Sequence, residues 1–492
     1  MTLPYLAAPK LAGEENSFGG FLLNPLDGNS YLAKMQEGYA GDWFFALPYT
    51  PDHTDGAFLF EFYLLLGHIS RWVRLPLLTV FHLARIVSIF LFLYFLDEFL
   101  QKRMGLSGKP YALSALLICF GSGLGWIFLV FGQMTSDLWV ADAYPFLSAY
   151  TNPHFILGMA ILLAILTRLE TAEKKDLAAI WLLGVLLAII IPFGSVIAGL
   201  IAAGREIWRW FEQKRMRVGP PLAILLGAGV MVLFQYWQIF QDPMLAKWNE
   251  QNITPVMPLW DVVVSFSPAL LLAAAEIFFR VKSHRIDDAG KVLTLWAVSS
   301  LALAVIPFSL QRRFLFTAYI PLAILAVQGI FSIAAQKKRN GNRLFFFVFI
   351  STVLTNIFII LMGLSFVKSG NPAMMVSQDE KAAMQWISSQ ATERDIVLCS
   401  PRLGNFVPAI TGAKVMYGHP FETVDAETRK QEVIDFYSAR QDLEVQNQYL
   451  MLNSIDWVIF GLAEASLGRP VVLDELPVVY RNDTVIVYQA AP

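Results

Sequence analysis

Charge is scarce in this chain. Asp, Glu, Lys and Arg make up 15 % of its 492 residues, against about 25 % in soluble domains. So few charges exclude an ordinary soluble protein. The balance of 37 basic and 39 acidic residues leaves no dominant basic face, which argues against a nucleic-acid partner. Cysteine is almost missing. Cys119 lies in an apolar run and Cys399 in the tail, so no disulfide framework is expected. Met1 to Gly13 lacks a basic start and a continuous apolar core, so no cleavable signal peptide is read there. Two-His helix motifs, Cys pairs, Gly-rich phosphate loops and a Ser/His/Asp signature are absent as well.

What the chain has in excess is apolar residues, 56 % of the total. Runs long enough to cross a hydrocarbon core of about 30 Å recur along it. Expected spans are 77–96, 111–131, 155–169, 177–190, 193–203, 222–240, 262–279, 292–310, 315–334 and 345–366. Three regions follow: 1–75, polar to amphipathic; 76–367, a polytopic membrane domain; and 370–492, a soluble segment.

Basic residues cluster in alternate loops. One holds Lys102, Arg103 and Lys109, another Arg168, Lys174 and Lys175, and a third Arg205, Arg209, Lys214, Arg215 and Arg217. Arg280, Lys282, Arg285 and Lys291 follow, then Lys337, Lys338, Arg339 and Arg343. The loop 133–150 has no Lys or Arg, and 241–258 has only Lys247. The alternation requires 177–203 to cross twice, hinged at Pro192-Phe193-Gly194, and so gives about ten spans. The lightly charged loops, the amino-terminal region and the carboxy-terminal segment then face outward. Counting 56–72 as a further span would break the alternation at Arg71 and Arg74, so it is read as an interfacial helix.

The tail alternates in type. Helical spacing at 378–390, 428–439 and 443–453 is interleaved with strand runs at 395–400, 413–417, 457–460, 478–480 and 484–488. This predicts a small extracytoplasmic α/β domain.

Asp27 follows Pro25 and precedes Gly28-Asn29-Ser30, ahead of a short amphipathic helix from Tyr31 to Tyr39. It reads as a cap of that helix or as an external carboxylate available for general-base work. In the next outer loop stand Asp137, Asp142 and His154 with Trp139, Tyr144 and Tyr150. The aromatics suit an interfacial belt. Asp137 suits acceptor binding or assistance to Asp27, and His154, opening a span after Asn152-Pro153, reads as a structural cap, an interfacial contact or a substrate ligand. With Asp142 they are types that hold a divalent ion, although no spacing demands one. Gln311-Arg312-Arg313 puts two arginines in a short outer turn, where they either anchor to headgroups or clamp a phosphate. Arg85 and His82 fall inside the first span, where arginine needs a protein or water partner. Glu276 is expected to be paired or to snorkel. The turn Gly418-His419-Pro420-Phe421-Glu422-Thr423 reads as mainly structural, with acceptor recognition as the other reading.

Asp27, Tyr31, Gly38 and Trp43, followed by interfacial helices, many spans and a terminal α/β domain, resemble the GT-C superfamily of polytopic glycosyltransferases, including its mannosyltransferase and aminoarabinose-transferase branch. The resemblance implies a fold of about ten helical spans with a carboxy-terminal extracytoplasmic α/β domain. It implies Asp27 as catalytic base, a polyprenyl-phosphate sugar as donor, and a lipid, glycan or protein acceptor on the outer face. Tyr31, Asp137 and His154 would then bind substrate, and Gln311, Arg312 and Arg313 the lipid phosphate, with inversion at the sugar. Members of that family generally carry a span before the catalytic loop. None precedes Asp27 here, so an amino-terminal segment is expected to be missing, or else the acidic stretch is translocated unaided. The rival readings are a transporter or flippase, which would break helices at the midplane, and a non-catalytic scaffold presenting the tail.

Overall fold

The computed structural model describes residues 1–170, 173–284, 286–307, 309–438 and 441–490. Arg285 of the fourth basic loop, Phe308 of the expected span 292–310 and Ala439 of the expected helix 428–439 lie outside them.

A helix occupies each of the ten apolar runs, but they are not equivalent. Among the described residues six are long and apolar enough to cross a membrane: Leu77–Arg103, Gly108–Leu129, Gly219–Gln241, Asp288–Val305, Tyr319–Gln336 and Gly341–Lys368. The run 262–279 is not one straight span. It is a pair of helices, Leu259–Phe266 and Ala269–Lys282, bent by 87° around Pro268, which has no N–H to continue the ladder. Counted as one span, the pair makes seven. Pro153–Arg168 is apolar but shorter. The run 177–203 divides as its proline suggests, into Lys174–Ile190 and Pro192–Gln213. These helices make the chain an integral membrane protein.

The chain forms two compact units, residues 1–82, 235–252 and 363–492 in the first and residues 83–234 and 253–362 in the second. The amino-terminal and carboxy-terminal regions, separate in the sequence, thus share one unit.

In the first unit, helices α1 (Leu3–Leu11), α2 (Pro25–Ala40) and α3 (Glu61–Val73) precede the tail. Strand β1 (Asn16–Phe18) pairs antiparallel with β2 (Met375–Ser377) and staples the two ends of the chain together. The thirteen residues of α3 fall short of the ~20 a span needs. The tail holds a five-stranded sheet of order β4-β3-β5-β7-β6, made of β3 (Ile396–Leu398), β4 (Lys414–Val415), β5 (Trp457–Phe460), β6 (Val478–Arg481) and β7 (Ile486–Gln489). β3 runs parallel to β4 and β5, whereas β7 is antiparallel to β5 and β6. Side chains alternate across a strand. Val397 therefore enters one core with Val415, Ile459, Val487 and Ala33 of α2. Ile396 and Leu398 enter the other, under the helices Ala426–Tyr437 and Leu443–Leu452. The helix Gln378–Gln390 starts on a capping box: Ser377 Oγ accepts from the Glu380 N–H, and Glu380 Oε2 accepts from the Ser377 N–H.

In the second unit two polar clusters sit at opposite ends of shared helices. Arg103 and Arg205 each donate to Asp288 Oδ2 at 2.7 Å, and Arg209 donates to both Glu206 oxygens at 2.8 Å. Arg217 reaches the Glu170 carbonyl at 2.8 Å. Four of the basic loops thus meet at one end. The helix Asp288–Val305 begins there, and 18 residues carry the chain about 27 Å toward the turn Gln311–Leu315 at the other. That length is close to a hydrocarbon core. The buried Arg85 donates to the Ala149 and Tyr150 carbonyls at 3.0 and 3.3 Å, near the end of the helix Pro145–Thr151, where cations are favoured. Glu276 accepts from Arg280 at 2.7 Å, so it is paired.

Candidate functional site

Helix α2 carries the amino-terminal acid. Pro25 opens it, as its missing N–H allows, and Asn24 is its cap. Asp27 therefore lies inside the first turn, where the helix dipole favours a carboxylate, rather than at the cap. Residues three and four apart share a helix face, so Asp27, Ser30, Tyr31 and Lys34 point the same way. Gly28 is small because a Cβ there would stand 2.3 Å from the Phe21 ring. The opposite flank docks on the tail. Asn29 Nδ2 donates to Asn405 Oδ1 at 2.7 Å, and Gln36 donates to the Ala409 and Ile410 carbonyls.

That docking brings the turn after β4 to Asp27. Gly418 presses so closely on Gly404 that a Cβ would meet its carbonyl oxygen at 2.2 Å. The next residue, His419, is buried. Its Nδ1 accepts from the Phe421 and Glu422 N–H groups at 3.1 and 3.2 Å, and its Nε2 lies 3.5 Å from Asp27 Oδ1. The Asp27 side chain is 48 % exposed, so one face of it stays accessible. Beside them the fully buried Lys34 donates to Glu422 Oε1 at 2.8 Å and to Ser30 Oγ at 2.6 Å. Its ammonium also stands 4.4 Å from the centroid of the Phe60 ring. Burial raises the Glu422 carboxyl, but the Lys34 charge, His419 and hydrogen bonds from Lys34 and Ser30 outweigh it and hold Glu422 below the usual range. Tyr31 stacks on Tyr63 with ring centroids 4.4 Å apart. Burial first, then the charges of Tyr31 and Asp27, push the Tyr63 hydroxyl well up.

The outer-loop acids belong to the second unit and divide into two groups. Asp137, on the short turn Ser136–Leu138, is enclosed: Thr135 Oγ1 donates at 2.6 Å, the Gly125 N–H at 2.8 Å and Ser265 Oγ at 3.1 Å. Asp261 takes the Ser136 N–H and hydroxyl and the Ser265 hydroxyl. Gly123 and Gly125 leave room for this cluster, since a Cβ on either would collide with the Asp137 carboxylate. Asp142 instead meets the arginine turn, with Arg313 Nη1 at 3.3 Å from its Oδ2. Burial raises the Asp142 carboxyl, and Arg313 and Arg312 oppose the rise. The Arg312 guanidinium lies 4.7 Å from the Trp139 ring centroid, within cation–π range. Gln311 braces the turn, accepting from the Val256 N–H and donating to the Ile306 carbonyl. His154 packs on Phe155, whose ring also faces Arg313. The structure thus joins Trp139, Asp142, Arg312 and Arg313, while Asp137 belongs to a separate buried network.

Sequence reasoning did not foresee His419 beside Asp27. The only signal was a His and a Glu three residues apart in a glycine-led turn. As for a metal, Asp27 and His419 offer two donors, and Glu422 is committed to Lys34. Among the described residues no three His, Cys, Asp or Glu side chains converge on a metal site. The donor set does not by itself fit a resident divalent ion.

No protein-family model matches this chain, and no curated protein does. Its likeness is to solved structures. The Archaeoglobus fulgidus oligosaccharyltransferase in complex with Zn and sulfate aligns at TM-score 0.52 and 12 % identity, over 99 % of this chain and 72 % of that one. ArnT from Cupriavidus metallidurans, bound to undecaprenyl phosphate, aligns at TM-score 0.52 and 12 % identity, over 99 % of this chain and 96 % of that one. The mycobacterial arabinofuranosyltransferase AftD aligns at TM-score 0.50 and 11 % identity, over 100 % of this chain and 40 % of that one. All three are GT-C glycosyltransferases. The chain therefore shares the fold of these GT-C enzymes over nearly its whole length.

Proposed function

We propose that the chain is a membrane glycosyltransferase that moves a sugar from a polyprenyl-phosphate donor to an acceptor hydroxyl at the outer face. The observation that carries this reading is Asp27: a half-exposed carboxylate in the first turn of α2, within a fold shared with three sugar-transferring enzymes. The acceptor O–H gives its proton to Asp27 as the acceptor oxygen bonds to the anomeric carbon. The bond from that carbon to the phosphate oxygen breaks, and its electrons leave with the polyprenyl phosphate. Direct displacement of this kind inverts the sugar. General-base help is worth about 10²–10⁴-fold.

Arg312 and Arg313 take the departing phosphate in this scheme, since guanidinium suits phosphate geometry and stabilises developing charge. The undecaprenyl phosphate bound by ArnT supports a polyprenyl donor. Tyr31, stacked on Tyr63, offers an aromatic face beside the base. His154 is assigned to the substrate side of the arginine turn. Gln311 holds that turn in place, and Asp137 holds the loop rather than a ligand. The acceptor is a lipid, glycan or protein. About ten crossings, with both termini outside, complete the proposal.

Two breaks in the helices favour a second reading. The 87° bend at Pro268 and the break before Pro192 are devices that transporters use. A transfer assay with vesicle-embedded protein separates the two, using undecaprenyl-phosphate hexoses and pentoses as donors. The transferase reading expects labelled sugar on membrane acceptors. Arg312→Ala with Arg313→Ala should raise the half-saturating donor concentration about tenfold or more. Uptake of sugar into the vesicle lumen without transfer would support the transporter instead.

A further inference from the structure

The turn Gly418–Thr423 lies in the tail, nearly four hundred residues from Asp27, yet it is built to meet it. Its shape is over-determined. Gly418 abuts Gly404, the Gly418 and His419 N–H groups both donate to Thr423 Oγ1 at 3.3 Å, and Lys34 and Ser30 grip Glu422 from α2. Within that frame the His419 ring has little freedom. Two backbone N–H donors occupy Nδ1, so the ring proton belongs on Nε2. Nε2 is buried, makes no hydrogen bond among the described residues, and stands 3.5 Å from Asp27 Oδ1.

We infer that His419 is a positioning residue for Asp27: its Nε2–H engages Oδ1 and leaves Oδ2 turned toward the acceptor hydroxyl. The inference rests on the reading of Asp27 as base. The Nδ1 bonds mean that the imidazole acts here as a donor, not as a proton relay. The Lys34–Glu422 pair holds the turn on the same helix face as Asp27, so the tail domain contributes directly to the site. A contact of 3.5 Å needs only a small approach to become a charge-assisted bond, as happens when catalytic groups tighten around substrate. The ionisable groups around this pair are Lys34, Glu422, Tyr31, Tyr63 and Tyr49. The Tyr49 ring is tilted against the imidazole, with centroids 5.9 Å apart.

Two substitutions separate positioning from a structural role. His419→Asn keeps an acceptor for the Phe421 and Glu422 N–H groups, as in an Asx-turn, but loses the Nε2 donor. His419→Gln loses the turn acceptor but carries an amide N–H far enough to reach Asp27. We expect His419→Asn to lower kcat about 10- to 100-fold with the donor half-saturation unchanged. His419→Gln should recover most of the activity. A merely structural histidine predicts the reverse order, and that order would overturn the inference.

A second readout does not depend on turnover. In ¹³C-aspartate-labelled full-length protein, the carboxyl signal lost in Asp27→Asn identifies Asp27. Its titration midpoint should rise in His419→Asn, because a hydrogen bond to the charged form is lost, and should return in His419→Gln. An unmoved midpoint in His419→Asn would reject the contact. Full transfer by Asp27→Asn would reject the base assignment instead, so the two failures read differently.

Discussion

A carboxylate that is to accept a proton needs solvent or substrate on one side and a fixed partner on the other. Asp27 meets both conditions: it is half-exposed, sits in the first turn of a helix, and faces His419. Asp137 is the opposite case, a buried acid saturated by protein donors. Burial pushes its carboxyl up to about 6, against hydrogen bonds from Thr135, Gly125 and Ser265 that pull it down. The folded chain then holds this proton more tightly than the unfolded one, whose aspartates titrate near ~3.9. Stability from the group is therefore full below about pH 4 and is lost as pH rises to about 6, on the order of 3 kcal/mol across the window. Thermal unfolding should show the wild type falling over that range by more than Asp137→Asn does. Parallel curves would mean that Asp137 is not a buried titrating acid. Asp27 was legible in the sequence because an acid after a proline and before a polar helix stands out. His419 was not, because nothing local links it to a residue so distant in the chain.

Among the elements, the crossing of α2 and α3 sets where Asp27 stands. The two helices touch backbone to backbone. A Cβ on Gly38 would lie 2.0 Å from the Leu64 carbonyl oxygen, and one on Gly67 would lie 2.1 Å from that of Met35. Backbone cannot yield as a flexible side chain can, so Gly38→Ala must pry the helices apart. Overpacking of this kind costs about 1–3 kcal/mol or more. A lowered unfolding midpoint together with reduced transfer is the expected result; an unchanged midpoint would show that the helices can separate freely. Short continuous apolar runs such as Trp457–Phe460 made the strands readable, and the break before Pro192 followed from its missing N–H. The bend near Pro268 was passed over because 262–279 is predominantly apolar, and composition alone does not show that Ser265 is drawn aside to the two buried aspartates.

For the molecule as a whole, the loop charges and the helix lengths agree. Basic loops converge on the Asp288 cluster, and the arginine turn stands one membrane-thick helix away. The proposed orientation, with the Asp288 end cytoplasmic, rests on the positive-inside bias of these loops. The division into two units was only partly legible. Composition separates 1–75 from 370–492, whereas the β1–β2 pairing and the α2 docking show that they fold together. That union brings a histidine of the tail to the acid of the amino-terminal helix.

The central claim, that Asp27 is the base, is tested most directly by turnover of Asp27→Asn with an undecaprenyl-phosphate sugar, with donor binding measured on the same preparation. The account predicts donor binding within about twofold of wild type and a loss of turnover of about 10²-fold or more. Turnover equal to wild type at equal donor binding would contradict it.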